Sequence, residues 1–390
     1  MNPPRVFMYV QHLLGIGHLK RAATLALALA AKGMQVTLAS GGPAVPGMAP
    51  QLSMRGVGLV QLPPASATGL NFKALVDENG RAIDSAWKLR RSAALLAAWR
   101  TAEPQVMVLE LFPFGRRQMR FELLPLLDAA VSASRRPAIV CSVRDILGGR
   151  KSPQRQQETL DLLQRCFDRV LVHGDPAVVG FEQTFPLAPR IAEKLHYTGY
   201  VVDENAPHGN LSGKDEVIVS AGGGAVGAGL LETAIQAKPL SALRDRTWRI
   251  LAGNNLPDEA FQKLARLAIG EGGVELERSR PDFTTLLSNC ALSISQAGYN
   301  TLLETVQARA RAVVVPFAGG HETEQTLRAR CFAGRGLLEC VEEDALTPSA
   351  LAAAIERALR KPRPVAGAIN LDGARRSAEL IAGLASEGAR

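Results

Sequence analysis

Three short stretches hold the residues whose types and spacing could do chemistry. In the first, Gln11-His12-Leu13-Leu14-Gly15-Ile16-Gly17-His18-Leu19-Lys20-Arg21 follows the apolar run Val6 to Val10, so a Gly-x-Gly turn delivers His18 to the start of a helix. An imidazole titrates near neutrality and can take the proton of a hydroxyl or a water, although a histidine at a helix start can also serve only to cap or to pack. The second stretch, Ser220 to Gly227, places Gly222, Gly223 and Gly224 after a strand and before a helix, where bare backbone N–H groups can hold a diphosphate. The third runs Ser295-Gln296-Ala297-Gly298-Tyr299-Asn300-Thr301-Leu302-Leu303-Glu304, then through Val313 to Pro316 to Phe317, Gly319, Gly320, His321, Glu322, Thr323, Glu324 and Gln325. Its small residues open a helix whose first amides can meet phosphate oxygens, while Glu304 further along can accept hydrogen bonds from a diol.

These stretches need strand ends and helix starts to position them, and the chain supplies both in alternation. Apolar runs at Val6–Val10, Val36–Ser40, Val106–Leu111, Ala138–Val143 and Arg169–His173 are separated by helical segments at His18–Lys32, Trp87–Arg100, Phe121–Ala133 and Pro153–Phe167, and Asp175-Pro176 is expected to open another helix. A polar stretch with Gly and Pro around 202–216 reads as a linker. A second series then places strands at Val217–Ser220, Arg249–Ala252, Val274–Leu276, Ala291–Ile294, Ala312–Val315 and Leu337–Leu338, with helices opening at Thr347-Pro348 and near Gly373. Such alternation implies α/β architecture with doubly wound parallel sheets. Two domains are expected, over 1–205 and 216–370, with a helix over 371–390 that packs back on the first.

Composition narrows the function classes. The 390 residues exceed what one core usually organises. The five cysteines include no C-x-x-C pair, which points away from a disulfide framework or a zinc knuckle and towards a reducing cytoplasm. The net charge of +8 lies wholly in residues 1–205, with 24 Lys and Arg against 16 Asp and Glu. Its clusters are Arg90-Arg91, Arg116-Arg117 with Arg120, Arg135-Arg136, and Arg144 to Arg155; they read either as a field for phosphate-bearing ligands and anionic membrane or as a solvated basic face. Few aromatics accompany them, so nucleic acid is not expected as a partner. Nicotinamide dinucleotides are disfavoured too, because Lys20 stands where the first turn would need a third glycine and no acid follows the second strand. No Lys-Ser/Thr follows the second glycine turn, which excludes a P-loop. No Asp-x-Asp occurs, so neither metal nor cofactor is expected.

The segment from Ser295 to Gln325 resembles the donor-binding signature of the GT-B glycosyltransferases of family 28 and family 1, the peptidoglycan N-acetylglucosaminyltransferases above all. The resemblance extends weakly over most of the chain. It implies a GT-B fold, two Rossmann-like domains facing a cleft, and metal-independent, inverting transfer of a sugar, with a UDP-sugar as the expected donor. It implies that Glu304 binds the donor ribose, that Glu324, Gln325 and His321 meet the sugar, and that Gly298, Tyr299, Asn300 and Thr301 hold phosphate together with Gly222, Gly223 and Gly224. The loop with Arg280 and Phe283 would meet the base. The turn with Gly15, Gly17 and Arg21 is similar to the acceptor-side loop, with His18 as the base. The acceptor itself is open, lipid-linked or anionic candidates fitting the basic first half, with contact at the inner face of the membrane.

The short Gly15-Ile16-Gly17-His18-x-x-Arg21 wording departs from the longer glycine loop of the peptidoglycan enzymes. It resembles instead a nucleotide-sugar hydrolase of the pseudaminic acid pathway, which would use His18 to activate water.

Overall fold

The expected alternation closes into two parallel sheets. The computed structural model describes residues 3–13, 15–67, 74–149, 151–203, 210–223, 226–319 and 323–387. The first half runs β1 (Arg5–Val10), α1 (Gly17–Ala31), β2 (Gln35–Ser40), α2 (Met48–Ser53), β3 (Val57–Gln61), the two-residue strands β4 (Ser66–Ala67) and β5 (Leu75–Val76), α3 (Ser85–Ala102), β6 (Val106–Glu110), α4 (Arg120–Val131), β7 (Ala138–Arg144), α5 (Pro153–Cys166), β8 (Arg169–His173) and β9 (Leu195–Tyr197). The second runs β10 (Val217–Ser220), α6 (Ala228–Ala237), β11 (Trp248–Leu251), α7 (Asp258–Glu271), β12 (Val274–Glu277), α8 (Phe283–Asn289), β13 (Leu292–Ser295), α9 (Tyr299–Gln307), β14 (Ala312–Val314), α10 (Glu324–Gly334), β15 (Glu339–Cys340), α11 (Pro348–Arg360) and α12 (Gly373–Glu387).

Strand order is β3-β2-β1-β6-β7-β8-β9 in one sheet and β12-β11-β10-β13-β14-β15 in the other. The winding therefore reverses between β1 and β6, and again between β10 and β13. At such a point the connections leave in opposite directions and a crevice opens at the carboxyl edge of the sheet. The central strands are buried on both faces, as Val6 to Val10 and Val106 to Leu109 show, because helices cover both sides.

α1 shows how the pattern works locally. Leu19, Ala22, Leu25, Ala26 and Leu29 recur at helical spacing, and all are buried in one cluster with Val6, Met8 and Val10. Ala374, Ala378, Ile381 and Leu384 of α12 join the same cluster, so the last helix packs on the first half of the chain. Burying one such leucine contributes roughly 1.5–3 kcal/mol.

Three sequence expectations are corrected. Asp175-Pro176 opens no helix: Asp175 accepts from Ala177 N through Oδ1 at 2.9 Å and from Asn370 N through Oδ2 at 2.9 Å, and the extended Gly180 ends the turn. Leu337 and Leu338 are core residues rather than a strand, since pairing with β14 starts at Glu339, after the left-handed Gly336 has turned the chain. β3, which pairs with β2 at the sheet edge, was not anticipated; Gly58 interrupts its alternation.

Candidate functional site

Helix starts divide into two kinds in this protein. Asp84, Ser152 and Thr347 cap α3, α5 and α11 with their side chains, accepting from Trp87 N at 2.7 Å, Arg155 N at 3.4 Å and Ala350 N at 3.1 Å. α1, α6 and α9, which follow the three glycine-bearing turns, carry no side-chain cap, and neither do α2, α4, α7, α8 and α10; what sets the three apart is their place at the strand ends. Their first N–H groups lack a partner within the helix and are free to meet an anion. All three starts lie at the two reversal points: α1 after β1, α6 after β10 and α9 after β13.

The turns also approach one another. A side chain on Gly17 would come within 3.3 Å of Asn300 Nδ2, and one on Gly222 within 3.9 Å of Thr301 Oγ1. Gly222 has φ +63° and its N–H donates to Ser220 Oγ at 3.1 Å, whereas Gly227 has φ +109° and would drive a Cβ to 2.9 Å from Gln296 Nε2. Glycine is required at both for backbone shape. Gly224 and His321 lie outside the described residues.

On the facing side, His18 is held by acids and cations that close from β6 and β7. Its Nδ1 lies 3.0 Å from Glu110 Oε1, at the carboxyl end of β6. Glu110 also pairs with Arg21 and accepts from Ser142 Oγ at 2.5 Å. Ser142 in turn reaches His173 Nε2 at 2.9 Å, and His173 Nδ1 meets Thr198 Oγ1 at 2.9 Å. With Glu110 ionised, the 3.0 Å contact suits a proton on Nδ1 and a lone pair on Nε2, 3.3 Å from Arg144 Nη2; Arg21 Nη2 also approaches Nδ1 at 3.2 Å, a contact that suits the other tautomer.

Charge follows geometry. Burial, with Arg116 and then Arg144 nearby, holds His18 well below the ordinary imidazole value, and the Glu110 contact only partly offsets this. Burial opposes ionisation of Glu110, but Arg21, His18 and Ser142 together outweigh it and hold the carboxyl far below its usual range. Burial and Arg21 push His173 down to about 3, so it is neutral. Burial raises the Glu304 carboxyl, with Lys20 opposing.

Several residues singled out from the sequence turn out to bridge the two halves of the molecule. Glu324 pairs with Arg144 across the cleft and with Arg328 at 2.9 Å, and Arg328 meets Asp145 at 2.9 Å with neither side chain exposed. Tyr299, expected at a phosphate, has a buried ring with the guanidiniums of Arg328, Arg21 and Arg144 at 5.1, 5.3 and 5.9 Å, and its hydroxyl donates to His173 O at 3.1 Å. Arg21, expected on the acceptor side, is buried in its pair with Glu110. Gln325 Oε1 accepts from Phe317 N at 3.1 Å. Arg280 pairs with Asp282 at 2.8 Å, and Phe283 packs against Leu286 and Leu251. Glu304 lines a cavity of about 440 Å³ together with Lys20, Thr24, Arg55, Asp203 and Asn300, between α1, α2 and α9. Gly15 is exposed at the turn before α1.

Sequence reasoning missed Glu110, Ser142, Asp145 and Arg328. One signal was present, since Glu110 is an acid ending an otherwise apolar strand at a carboxyl edge. The basic clusters were legible but their state was not: Arg91 is buried against Glu122, Arg117 and Arg120 share Glu158, and Arg136 pairs with Asp168. Among the described residues no group of acids, histidines and cysteines is arranged to hold a metal, and no helix is long and apolar enough to cross a membrane.

Comparison with known proteins bears on the fold and on the second half of the chain. Residues 218–379 match the glycosyltransferase family 28 C-terminal domain. Over its whole length the chain superposes on the glycotransferase of kitacinnamycin (TM-score 0.63, 16% identity, 98% of this chain and 99% of that one) and on MurG of Acinetobacter baumannii (TM-score 0.59, 16% identity, 97% and 100%). The fold is GT-B, and the family 28 match falls in its second half. A UDP-N-acetylglucosamine–N-acetylmuramyl-(pentapeptide) pyrophosphoryl-undecaprenol N-acetylglucosamine transferase of Staphylococcus aureus is 27% identical over 180 residues, 44% of this chain and 48% of that protein. The chain thus spans about half the length of the curated relatives it matches. In this GT-B frame the two reversal points face each other, His18 and Glu110 straddling one while the α6 and α9 starts straddle the other.

Proposed function

We propose that this chain is an inverting, metal-independent glycosyltransferase. Residues 216–370 would hold a nucleotide sugar, with UDP as the nucleotide, and residues 1–205 would bind the acceptor hydroxyl at His18. The observation that carries this reading is the His18–Glu110 contact of 3.0 Å at one reversal point, facing uncapped helix starts at the other. His18 Nε2 takes the acceptor proton while Glu110 stabilises the imidazolium that forms. Backbone N–H groups at Gly223 and Gly298 to Thr301 stabilise the leaving diphosphate, with Gly222 shaping the turn and releasing its N–H from Ser220 Oγ to join them, a role helix starts can fill without a metal. Glu304 binds the ribose, Gln325 and Glu324 the sugar, and backbone near Arg280 and Phe283 the base.

Arg144 sits on the lone pair that the acceptor needs and on the Glu324 carboxylate that the sugar needs. Binding of both substrates therefore displaces it, which couples donor and acceptor entry to one side chain. The same reading places the protein in the cytoplasm, at the inner face of the membrane when the acceptor is lipid-linked. Vesicle co-sedimentation that ignores anionic lipid would remove that placement.

The test is consumption of UDP-sugars with and without added acceptors. Donor that is stable alone and consumed only with acceptor supports transfer; free sugar released at the full rate without acceptor supports hydrolysis by His18-activated water. Glu304→Ala should weaken UDP binding by roughly tenfold or more, as loss of hydrogen bonds to a charged group does, and unchanged affinity would remove Glu304 from the site.

A further inference from the structure

Most arginines of the basic clusters have found acids, and one beside His18 has not. Arg116 follows β6 by six residues, with the backbone in the left-handed region at φ +60°. Its Nε is enclosed and unpartnered, and the side chain makes no hydrogen bond or ion pair among the described residues. A non-glycine residue held in that conformation is costly, and such positions gather at functional sites. Lys151, on the loop after β7, is a second cation with no acid paired to it among the described residues: its Nζ donates to Phe114 O at 2.5 Å, two residues before Arg116. The same loop reaches the cleft, since a side chain on Gly148 would lie 3.6 Å from Glu324 Oε2.

Counting charges around His18 sharpens the point. Among the described residues, the acids ion-paired with Arg21, Arg144 and Arg328 are Glu110, Asp145 and Glu324, and none of the three is paired with Arg116. The surplus positive charge is Arg116. Its side chain is half-buried, and the acid that acts on it most, Glu110, is already paired with Arg21, so an arriving anion meets a cation that has no acid of its own.

We propose that Arg116 and Lys151 form an oxyanion-binding subsite beside His18 that takes a phosphate or carboxylate group carried by the acceptor. The assignment to the acceptor rests on the function proposed above; the subsite itself does not. Its consequence is chemical as well as steric. After burial, the charge of Arg116 contributes most to the reluctance of His18 to accept a proton, ahead of Arg144. An anion bound to Arg116 cancels that field, so His18 becomes a stronger base when the correct acceptor is in place. A neutral acceptor leaves the base weak, which makes the subsite a specificity device.

The test uses the full chain with ¹⁵N-labelled histidines, titrated with methyl phosphate and, separately, acetate, while UDP affinity is followed by calorimetry. Saturable shifts of the His18 and His12 resonances are expected, and the tighter of the two probes identifies phosphate or carboxylate. Arg116→Gln and Lys151→Gln should each weaken that binding about tenfold, the worth of one charge-assisted hydrogen bond. Arg116→Lys, which keeps the charge, should retain it and controls for folding. Arg117→Gln, which removes an exposed arginine paired with Glu158, should change nothing. Unchanged probe binding in Arg116→Gln overturns the subsite, and so does a parallel tenfold loss of UDP affinity, which would assign Arg116 to the donor phosphates. If UDP fails to bind the unaltered protein while methyl phosphate still does, the subsite stands and the transferase reading falls.

Discussion

The two faces of the cleft solve different problems with different materials. The face built by β1, β6 and β7 uses side chains: His18, Glu110, Arg21 and Ser142 are buried or nearly so, and each is pinned by at least one other. The face built by β10 and β13 uses backbone, with glycines at 222, 223 and 227 and two helix starts left uncapped. A group that must move a proton needs a defined tautomer and direction, which only a network of partners supplies. A diphosphate needs several weak donors and close approach, which bare amides supply without charge to desolvate.

That contrast can be broken in a definite order of effect. The largest is expected at His18. His18→Ala should lower kcat by about 10²–10⁴-fold with UDP affinity within twofold; a mutant that loses UDP binding instead would show that the two faces do not divide the work. The next is structural. Arg328→Ala leaves Asp145 as a buried, uncompensated charge, and it should lower the unfolding free energy by about 3–5 kcal/mol in chemical denaturation. A loss under 1 kcal/mol would mean that the pair between the halves opens to water.

The smallest effect concerns pH, and here the two faces differ in sign. His18 and His173 have folded values below the unfolded value of about 6.5, so the unfolded chain binds more protons and stability rises with pH up to that point. Acidification from pH 7 to 5 should therefore cost up to about 1.4 kcal/mol per pH unit for each histidine below 6.5. Glu304, held above its usual value by burial, acts oppositely by favouring the folded state as pH falls. Denaturation midpoints that stay flat between pH 7 and 5 would show that neither histidine is held neutral by the fold.

What could be read without coordinates was whatever repeats along the chain. The βαβ order, the glycine turns after strands, and the stretch from Ser295 to Gln325 are local patterns of spacing, and the helices other than the one expected at Asp175-Pro176, with most strands, fall within two residues of their expected ends. Residue type alone could not say which charges would meet. Arg144 and Glu324 are 180 positions apart, Arg328 and Asp145 are 183 apart, and Glu110 is 92 from His18. The first two pairs arise where the carboxyl edges of two sheets meet, and the third where β6 is laid beside β1 within one sheet. The primary sequence thus determined where a phosphate or a proton could be handled. Tertiary structure decided which cations would meet an acid and which, like Arg116, would not, because a charge near its complement depends on distance through space rather than along the chain.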